Sequence, residues 1–547
     1  MMKALMRYLK WLYAHSEGVR WRIVLNMCLD LVHIALNLYF IILCKRIVDI
    51  ATGELEGSIV LYSLIVVGVI LARLGVNAGN VRLESLTNSK MNFIIRRQIY
   101  SHLLQAEWAG KEKLHSGDTL NRLETDVSKV TGVICSDFPQ MFSTLVQLVA
   151  ALSLMGSMDW RLALLLLVMT PAFVAFSKIF FKKLRTMTRN IRDTESQVQS
   201  HLQESLQHRM VIRSMENERR MEDRLDDLQN SEYGQVVERT RFSIFARTLV
   251  SAAFNFGYLA AFLWGAYGIM EGRMTFGMMT AFLQLVGQIQ RPTVSLTRQV
   301  PSFIYATASI DRLMELEESP KEESGEPQWL SVPAGVRVEN LVFRYPDGDR
   351  DVLRNLSFDF KPGSRTAIVG ETGAGKSTLI RLMLCLLKPV SGSVTLYDAN
   401  RSLEASPMTR CNLVYVPQGN SLFSGTVREN LMMGDPEADE KRMRWALSVA
   451  QAGFVDDLPD GIDSFCGEGG AGLSEGQAQR IAIARGLLRP GTILLLDEFS
   501  SSLDPQTEAN LMESLAENSS GKTLIFITHR EKIADYCDAR LELQSLS

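Results

Sequence analysis

Residues 370–378 read Gly370-Glu371-Thr372-Gly373-Ala374-Gly375-Lys376-Ser377-Thr378 and follow the apolar run from Thr366 to Val369. Glycines at this spacing let backbone N–H groups wrap around phosphate oxygens, and the lysine and the hydroxyl after it can reach phosphates and Mg²⁺. The apolar residues from Leu379 to Leu387 predict a helix, whose N-terminus adds positive potential. The pattern therefore predicts a strand, a nucleotide-binding loop and a helix, with Lys376 on the β and γ phosphates and Ser377 on Mg²⁺.

A second element of the same chemistry lies at residues 492–498, where the apolar run from Thr492 to Leu496 leads into Asp497 and Glu498. Buried parallel strands read as continuous apolar runs, and ligands bind at their carboxyl ends. We expect Asp497 to hold Mg²⁺ through its water shell and Glu498 to orient or deprotonate the attacking water. An acidic helix cap would explain one carboxylate, but not the occurrence of this run beside a phosphate loop. The C-terminal half is therefore predicted to be an α/β P-loop NTPase domain that binds ATP with Mg²⁺.

The first 310 residues differ, because long apolar segments recur in them, each near or above the ~20 residues that a helix needs to cross a bilayer. The connections at 54–58, 159–161 and 271–275 are short, whereas those at 80–132 and 182–241 are long and rich in Lys and Arg. By the positive-inside rule, the long connections and both chain ends are expected to be cytoplasmic. The six predicted spans are Ile23–Cys44, Ile59–Gly79, Val133–Met158, Leu162–Phe181, Phe242–Met270 and Phe276–Val300.

The long connections are predicted to be helices that continue beyond the bilayer, because their sequences contain no proline. Each pair of helices would turn around a short segment, near Ala109–Asp118 and near His208–Ser214. The N-terminal residues Met1–His15 carry Lys3, Arg7 and Lys10 among apolar side chains. This pattern predicts an amphipathic helix at the membrane interface rather than a signal peptide.

Polar residues recur at helical spacing inside the predicted spans, so they lie on single helix faces. A charge that faces lipid costs a few kcal/mol, which places these faces against protein or a water-filled cavity. Two interpretations stay open: they line a transport pathway, or they form hydrogen bonds between helices without touching cargo. The candidate pathway residues are Asp30, His33 and Asn37 in the first span, and Gln284, Gln288 and Arg291 in the last.

Charge separates the two halves of the chain. Residues up to 320 hold 35 Lys and Arg against 29 Asp and Glu, and the residues after 320 hold 23 against 32. The overall charge of −3 is therefore the sum of a basic half and an acidic half. The 7 cysteines are scattered without CxxC spacing, which makes a disulfide framework or a zinc site improbable.

The region from Val336 to Leu543 resembles the ATP-binding cassette (ABC) family. Leu473-Ser474-Glu475-Gly476-Gln477 is similar to the family signature LSGGQ, Val416-Pro417-Gln418 to the glutamine loop, and Ser501-Ser502-Leu503-Asp504 to the D-loop. The resemblance implies that Ser474, Gly476, Gln477 and Asp504 contact nucleotide across a dimer interface. It further implies that Gln418 couples Mg²⁺ and the γ phosphate to the membrane helices, that His529 holds the γ phosphate, and that Tyr345 stacks on adenine.

Other segments are similar to ABC exporters, namely 467–472, 422–430, 117–126 and 159–164. The resemblance implies a half-transporter: a six-span membrane domain at 1–318, a linker at 319–335 and a cassette at 336–547. Its function would be ATP-driven export of a lipid, drug-like or peptide substrate, with ATP hydrolysis at a dimer of cassettes. We expect a multi-pass protein of the plasma membrane, specifically a bacterial inner membrane, with no nucleic-acid partner.

One position departs from the family signature, because Glu475 stands where the family usually has glycine. A carboxylate there could repel a triphosphate, and in family heterodimers a weakened signature often belongs to one subunit. The partner subunit then lacks the catalytic glutamate or the switch histidine, whereas this chain keeps Glu498 and His529. A homodimer is therefore the preferred expectation, and the mainly regulatory half of a heterodimer is the alternative.

Overall fold

The computed structural model describes residues 2–108, 116–346, 348–467, 470, 472–519 and 521–544; side chains of residues 2–5, 9, 116, 165–179, 181, 253, 291, 293–295, 297–298, 300–301 and 531 are left out. The chain divides into two units. The first contains residues 1–103 and 116–318, and the second contains residues 104–115 and 319–547. The second unit therefore includes a short piece of chain from between two membrane helices.

The first unit is helical, and several of its helices exceed the length of a bilayer. α3 has 47 residues, α7 has 48 and α9 has 53, against the ~20 that cross hydrocarbon. The helices are α1 (Met2–His15), α2 (Arg20–Ala51), α3 (Ile59–Gln105), α4 (Ser116–Asn121), α5 (Val127–Gly132), α6 (Phe138–Met158), α7 (Trp160–Gln207), α8 (Arg209–Ser214), α9 (Glu218–Met270) and α10 (Phe276–Glu317), with π-helical turns at Arg122–Asp126 and Val133–Asp137.

Four helical segments are long and apolar enough to cross a membrane among the residues described above: Arg20–Ala51, Ile59–Gln105, Gly117–Met158 and Glu218–Met270. The other two predicted spans, Leu162–Phe181 and Phe276–Val300, lie on α7 and α10. Part of each falls on side chains outside the described set. The protein is thus a multi-pass membrane protein, and the number six stays a prediction.

The predicted connections are found at the ends of these helices. Asp159 alone separates α6 from α7, and its carboxylate accepts hydrogen bonds from the backbone N–H of Arg161 and from the indole of Trp264 at 2.9 Å. α8 occupies the predicted turn at 208–214. The other predicted turn, Ala109–Asp118, lies mostly outside the described residues, with α3 ending at Gln105 and α4 beginning at Ser116.

The segment 117–126, which resembles the first coupling region of exporters, packs against the end of α10. Asp126 is 3% exposed and accepts hydrogen bonds from Arg312 Nε at 2.7 Å and Ser309 Oγ at 2.9 Å. Arg122 forms an ion pair with Glu315 at 2.7 Å. Burial alone would raise the pKa of Asp126, but the bonds from Arg312 and Ser309 hold it below its ordinary value.

The predicted N-terminal helix is present as α1, and it is also tied to the end of α10. The Trp11 indole donates to one carboxylate oxygen of Glu317 at 2.8 Å, and His15 Nε2 lies 2.9 Å from the other. The Tyr8 hydroxyl donates to Asp311 at 2.7 Å. These bonds fix the last turns of α10, from which the chain continues into the second unit.

The second unit is an α/β domain built on two main sheets. Its strands are β1 (Gly335–Phe343), β2 (Leu353–Phe360), β3 (Arg365–Gly370), β4 (Ser391–Tyr397), β5 (Ser402–Glu404), β6 (Leu413–Val416), β7 (Gly425–Thr426), β8 (Phe465–Cys466), β9 (Ile493–Asp497), β10 (Thr523–Ile527) and β11 (Ala539–Leu543). The parallel sheet has the order β11-β3-β10-β9-β6, and the antiparallel sheet has the order β2-β1-β4-β5. The helices of this unit are α11 (Lys376–Met383), α12 (Val427–Met432), α13 (Glu440–Val449), α14 (Glu475–Leu488), α15 (Pro505–Asn518) and α16 (Glu531–Ala534).

Candidate active site

Four of the predicted functional segments follow the carboxyl ends of neighbouring parallel strands. Gly370 ends β3, Asp497 ends β9, Gln418 lies two residues after β6, and His529 lies two residues after β10. The strands β9 and β10 are buried at every position, as their apolar sequence predicts. Because parallel strands present their carboxyl ends at one edge, the sheet assembles these side chains into one site.

The phosphate loop runs from the end of β3 into α11. Gly373 and Gly375 have φ angles of 89° and 93°, which residues other than glycine rarely adopt. Gly375 is also the N-cap residue of α11. A Cβ on Gly370 would lie 2.3 Å from the carbonyl oxygen of Leu543 on the adjacent strand, so only glycine fits there. The loop can therefore offer backbone N–H groups to an anion at the N-terminus of α11.

Lys376 reaches back over this loop. Its Nζ donates to the carbonyl oxygens of Gly370 at 2.7 Å and Glu371 at 2.9 Å, and the residue is 6% exposed. Burial lowers the pKa of Lys376, against the opposing effect of Glu498 and Asp497. The ammonium group is thus held where the phosphates of a nucleotide would lie.

Ser377 and Asp497 form the candidate Mg²⁺ site. Their side-chain oxygens are 3.4 Å apart, and Tyr415 donates to the same carboxylate oxygen at 3.2 Å. Burial raises the pKa of Asp497, and the nearby Glu498 adds to this effect. In the described chain, no group of three or more His, Cys, Asp and Glu side chains could hold a metal by itself. A hydroxyl and one carboxylate nevertheless fit Mg²⁺, which takes few protein ligands and completes its shell with water and phosphate oxygens.

Glu498 is the centre of the predicted catalytic group. One carboxylate oxygen lies 2.7 Å from His529 Nε2, and the other accepts a hydrogen bond from Gln418 Nε2. The residue has a φ of 43°, and its backbone N–H donates to Ile527 at 3.0 Å, so its position is set by the backbone. All three predicted catalytic residues are therefore brought together.

The signature residues form the N-terminus of α14. Ser474 Oγ accepts a hydrogen bond from the N–H of Gln477, and the Gln477 side chain accepts one from the N–H of Ser474, which is a capping box. A Cβ on Gly476 would lie 2.8 Å from the Ser502 carbonyl oxygen, so this glycine allows α14 to pack against the D-loop. Asp504 caps α15 in a similar way, by accepting from the N–H of Gln506 and Thr507.

Glu475 occupies the first turn of α14 and is exposed. A carboxylate at a helix N-terminus interacts favourably with the helix dipole. Glutamate at position 475 is therefore compatible with the start of α14. It leaves the capping box of Ser474 and Gln477 and the packing of Gly476 against the D-loop intact.

Tyr345 lies beside the phosphate loop but is already engaged with protein. Its hydroxyl is 3.1 Å from Thr378 Oγ1 and accepts a hydrogen bond from Arg381 at 3.3 Å, while its ring packs edge-on against Phe343. Trp108 also contacts Arg381, whose guanidinium carbon lies 4.9 Å from the centroid of the indole ring. Sequence reasoning missed Trp108, Arg381 and Tyr415, since no motif contains them.

The short segment 104–108, which contains Trp108, is held by several contacts to other parts of the second unit. Glu107 forms an ion pair with Lys388 at 2.7 Å, and its N–H donates to the Pro320 carbonyl oxygen at 2.8 Å. Within the first long connection, this segment belongs to the second unit, whereas 117–126 belongs to the first. Of the segment 467–472 that resembles an exporter loop, Glu468, Gly469 and Ala471 lie outside the described residues.

The candidate pathway residues separate into two groups. Asn37, Gln284 and Gln288 line a cavity of ≈ 1030 Å³ among the membrane helices. Asp30 is instead engaged between helices, where it accepts hydrogen bonds from Asn80 at 2.6 Å and Ser143 at 3.0 Å. His33 does not line the cavity, and the side chain of Arg291 lies outside the described set.

Two family models match the chain. The model described as ABC transporter transmembrane region matches residues 23–293, and the model described as ABC transporter matches residues 353–501. Together they cover most of the chain, in the order that the sequence predicts.

Individual proteins agree with these matches. The ATP-dependent lipid A-core flippase of Photobacterium profundum is 28% identical over 450 residues, which are 82% of this chain and 77% of that protein. The serine protease/ABC transporter B family protein tagA of Dictyostelium discoideum is 28% identical over 92% of this chain, but this chain spans only 29% of its length. A solved structure described as a bacterial Atm1-family ABC exporter with ATP bound has a TM-score of 0.78 at 22% identity and covers 97% of this chain and 95% of that one. The predicted fold, a helical membrane domain followed by a P-loop cassette, is confirmed.

Proposed function

This chain belongs to the ABC transporter family as a half-transporter with fused membrane and nucleotide-binding domains, and on that premise we propose that two copies of it form an ATP-driven exporter. The observation that carries the proposal is the group of Lys376, Glu498, His529 and Gln418 at one edge of the parallel sheet. A single cassette supplies only half of a composite ATP site, since the signature at Ser474 and the phosphate loop act on different nucleotides. The proposed working unit is therefore a homodimer with two ATP molecules between its cassettes.

Each residue has a defined part in the proposed hydrolysis. The phosphate loop and Lys376 would bind the β and γ phosphates, and Ser377 and Asp497 would hold Mg²⁺, which would supply positive charge to the phosphate oxygens. Glu498 orients or deprotonates the attacking water, and His529 holds the γ phosphate. Gln418, which donates to Glu498, would couple Mg²⁺ and the γ phosphate to the membrane helices.

The homodimer is supported by the completeness of this chain's own site. Glu498 and His529 are both present and in contact, and Glu475 leaves the signature helix intact. One feature favours the alternative, a regulatory half of a heterodimer, because a carboxylate at position 475 adds negative charge to the helix N-terminus that would face a partner's ATP.

ATP hydrolysis by the chain purified alone separates these two proposals. The mass of the purified assembly gives the number of its subunits. The protein is then reconstituted in lipid vesicles, and its rate of phosphate release from ATP is measured. A homodimer with steady turnover is expected. A silent protein that gains turnover only with a second cassette chain from the same cells would establish the regulatory alternative.

The direction of transport and the membrane are also proposals. Export of a lipid, drug-like or peptide substrate is supported by the fused arrangement of domains and by the names of the similar proteins. The excess of Lys and Arg in the long connections supports cytoplasmic chain ends in a plasma membrane, specifically a bacterial inner membrane. We expect inside-out vesicles that contain the protein to take up the substrate when ATP is added. A non-hydrolysable ATP analogue should not support this uptake.

A further inference from the structure

A cavity of ≈ 1030 Å³ lies among α2, α3, α6, α9 and α10, and the described side chains that line it include one cation and many amides. Its volume is at the upper end of the ~300–1,000 Å³ that is usual for small-molecule sites. Seven of its lining side chains are neutral amides: Asn37, Gln140, Gln147, Asn255, Gln284, Gln288 and Gln290. We propose that this amide-lined cavity binds an amphipathic organic anion whose polar part carries hydroxyl or amide groups, an inference that rests on the proposed export function.

The cation is Arg73 on α3, and protein groups do not neutralise it. Its Nε is buried without a hydrogen-bond partner, and its guanidinium carbon lies 5.3 Å from the ring centroid of Phe40. In the described part of the chain, Arg73 forms no ion pair. A guanidinium stays protonated in proteins, and burying it in a membrane domain without a counter-charge is costly.

Among the described residues, the Asp30 carboxylate on α2 forms no ion pair with this guanidinium and is held by other partners. Both oxygens of Asp30 accept hydrogen bonds from other residues, Asn80 at 2.6 Å and Ser143 at 3.0 Å. The described lining of the cavity itself contains no Asp or Glu. A bound anion would therefore supply the missing charge, whereas a cationic ligand would be repelled.

The neutral lining indicates the rest of the ligand. Amides donate and accept hydrogen bonds, so they match hydroxyl and amide groups, which do both. Gln288 accepts a hydrogen bond from Gln147, and Gln290 donates to the Phe254 carbonyl oxygen at 3.4 Å, so part of the lining is already oriented. Phe40, Phe254 and Tyr258 provide aromatic surface for an apolar portion.

The inference is tested by equilibrium binding to the full-length protein in phosphatidylcholine nanodiscs. The probes are fluorescently labelled lysophosphatidylglycerol, which is anionic and bears hydroxyls, and dodecyltrimethylammonium as a competing cationic amphiphile. Arg73→Gln should weaken binding of the anionic probe by about 10- to 100-fold, the range expected when a charge-assisted bond is lost. Arg73→Lys should retain most of the affinity, and Arg82→Gln, which removes an exposed arginine from the same helix, is the matched control.

Gln284→Leu keeps the inference testable if Arg73→Gln fails to fold. This variant should weaken binding of lysophosphatidylglycerol more than binding of dodecyl phosphate, which has the charge without the hydroxyls. Competition by phosphatidylglycerol in the nanodisc would identify the bilayer as the source of the ligand, and no competition would identify a soluble amphiphile.

Two results overturn the inference: tighter binding of the cationic amphiphile, or unchanged binding of the anionic probe by Arg73→Gln. Both leave the proposed function standing if the wild-type protein hydrolyses ATP. Absence of ATP hydrolysis in every condition would instead reject the proposed function.

Discussion

Replacement of Glu498 by glutamine tests the hydrolytic centre most directly. Glutamine has the same shape, can adopt the same backbone conformation, and leaves the N–H bond to Ile527 in place. It cannot accept a proton, however, and only one of its two terminal atoms accepts hydrogen bonds, whereas the Glu498 carboxylate meets both His529 and Gln418. The substitution should therefore remove the base and one of these two contacts, while Lys376 and the phosphate loop stay intact.

The expected loss follows from these contacts. A positioned general base contributes ~10²- to 10⁴-fold to rate. At about 1.4 kcal/mol per tenfold change, this corresponds to about 3–5 kcal/mol of the barrier. The side chain of Glu498 is 21% exposed, so solvent partly screens its charge. We therefore expect a loss of rate in the lower part of that range.

The assay measures phosphate release and ATP affinity with the same reconstituted protein. Glu498→Gln should keep the Kd for ATP within a few-fold of the wild-type value while turnover falls at least ~100-fold. Glu513→Gln, which changes an exposed glutamate on α15, is the matched control and should behave as wild type. Turnover by Glu498→Gln within tenfold of wild type would show that another group activates the water.

Further substitutions test other parts of the structure. Lys376→Ala should weaken ATP binding by about 10- to 100-fold, because a charge-assisted contact to the phosphates is lost, and unchanged affinity in a fluorescent-nucleotide titration would contradict the loop assignment. Gly476→Ala should destabilise the cassette by about 1–3 kcal/mol, since the new Cβ meets the Ser502 carbonyl oxygen at 2.8 Å, and a thermal shift measures this loss. The lowered pKa of Asp126 means that its bonds stabilise the membrane domain fully above about pH 5 and lose that effect as pH falls through the folded pKa. Asp126→Asn should therefore remove about 1–3 kcal/mol at pH 7 and flatten the acid side of the Tm profile, whereas an unchanged profile would contradict the role of the bond to Arg312.

The cassette site could be predicted from sequence because its chemistry is local. Four of the functional residues sit in short motifs that follow apolar strands, so the parallel sheet alone brings Gly370, Gln418, Asp497 and His529 to one edge. The capping box of Ser474 and Gln477 can also be predicted from the sequence, because serine is followed three residues later by glutamine.

Contacts between distant segments could not be predicted in this way. Trp108 and Arg381 belong to no motif, are far apart in sequence, and meet only because the short segment 104–108 is part of the second unit. In the first span, helical spacing places Asp30 and Asn37 on one face, but it does not say what each meets. Asp30 hydrogen-bonds to two neighbouring helices, whereas Asn37, two turns further on, faces the cavity.

Residues 104–108 belong to the second unit although they lie far from the cassette in the sequence. The backbone passes between the two units three times, so a fragment that begins at residue 336 would leave behind Glu107 and Trp108, the partners of Lys388 and Arg381. Arg381 in turn donates to Tyr345 beside the phosphate loop. A substitution at Trp108 would then alter the kinetics of ATP hydrolysis, and kinetics measured on an excised cassette would describe a nucleotide site that lacks one of its supporting side chains.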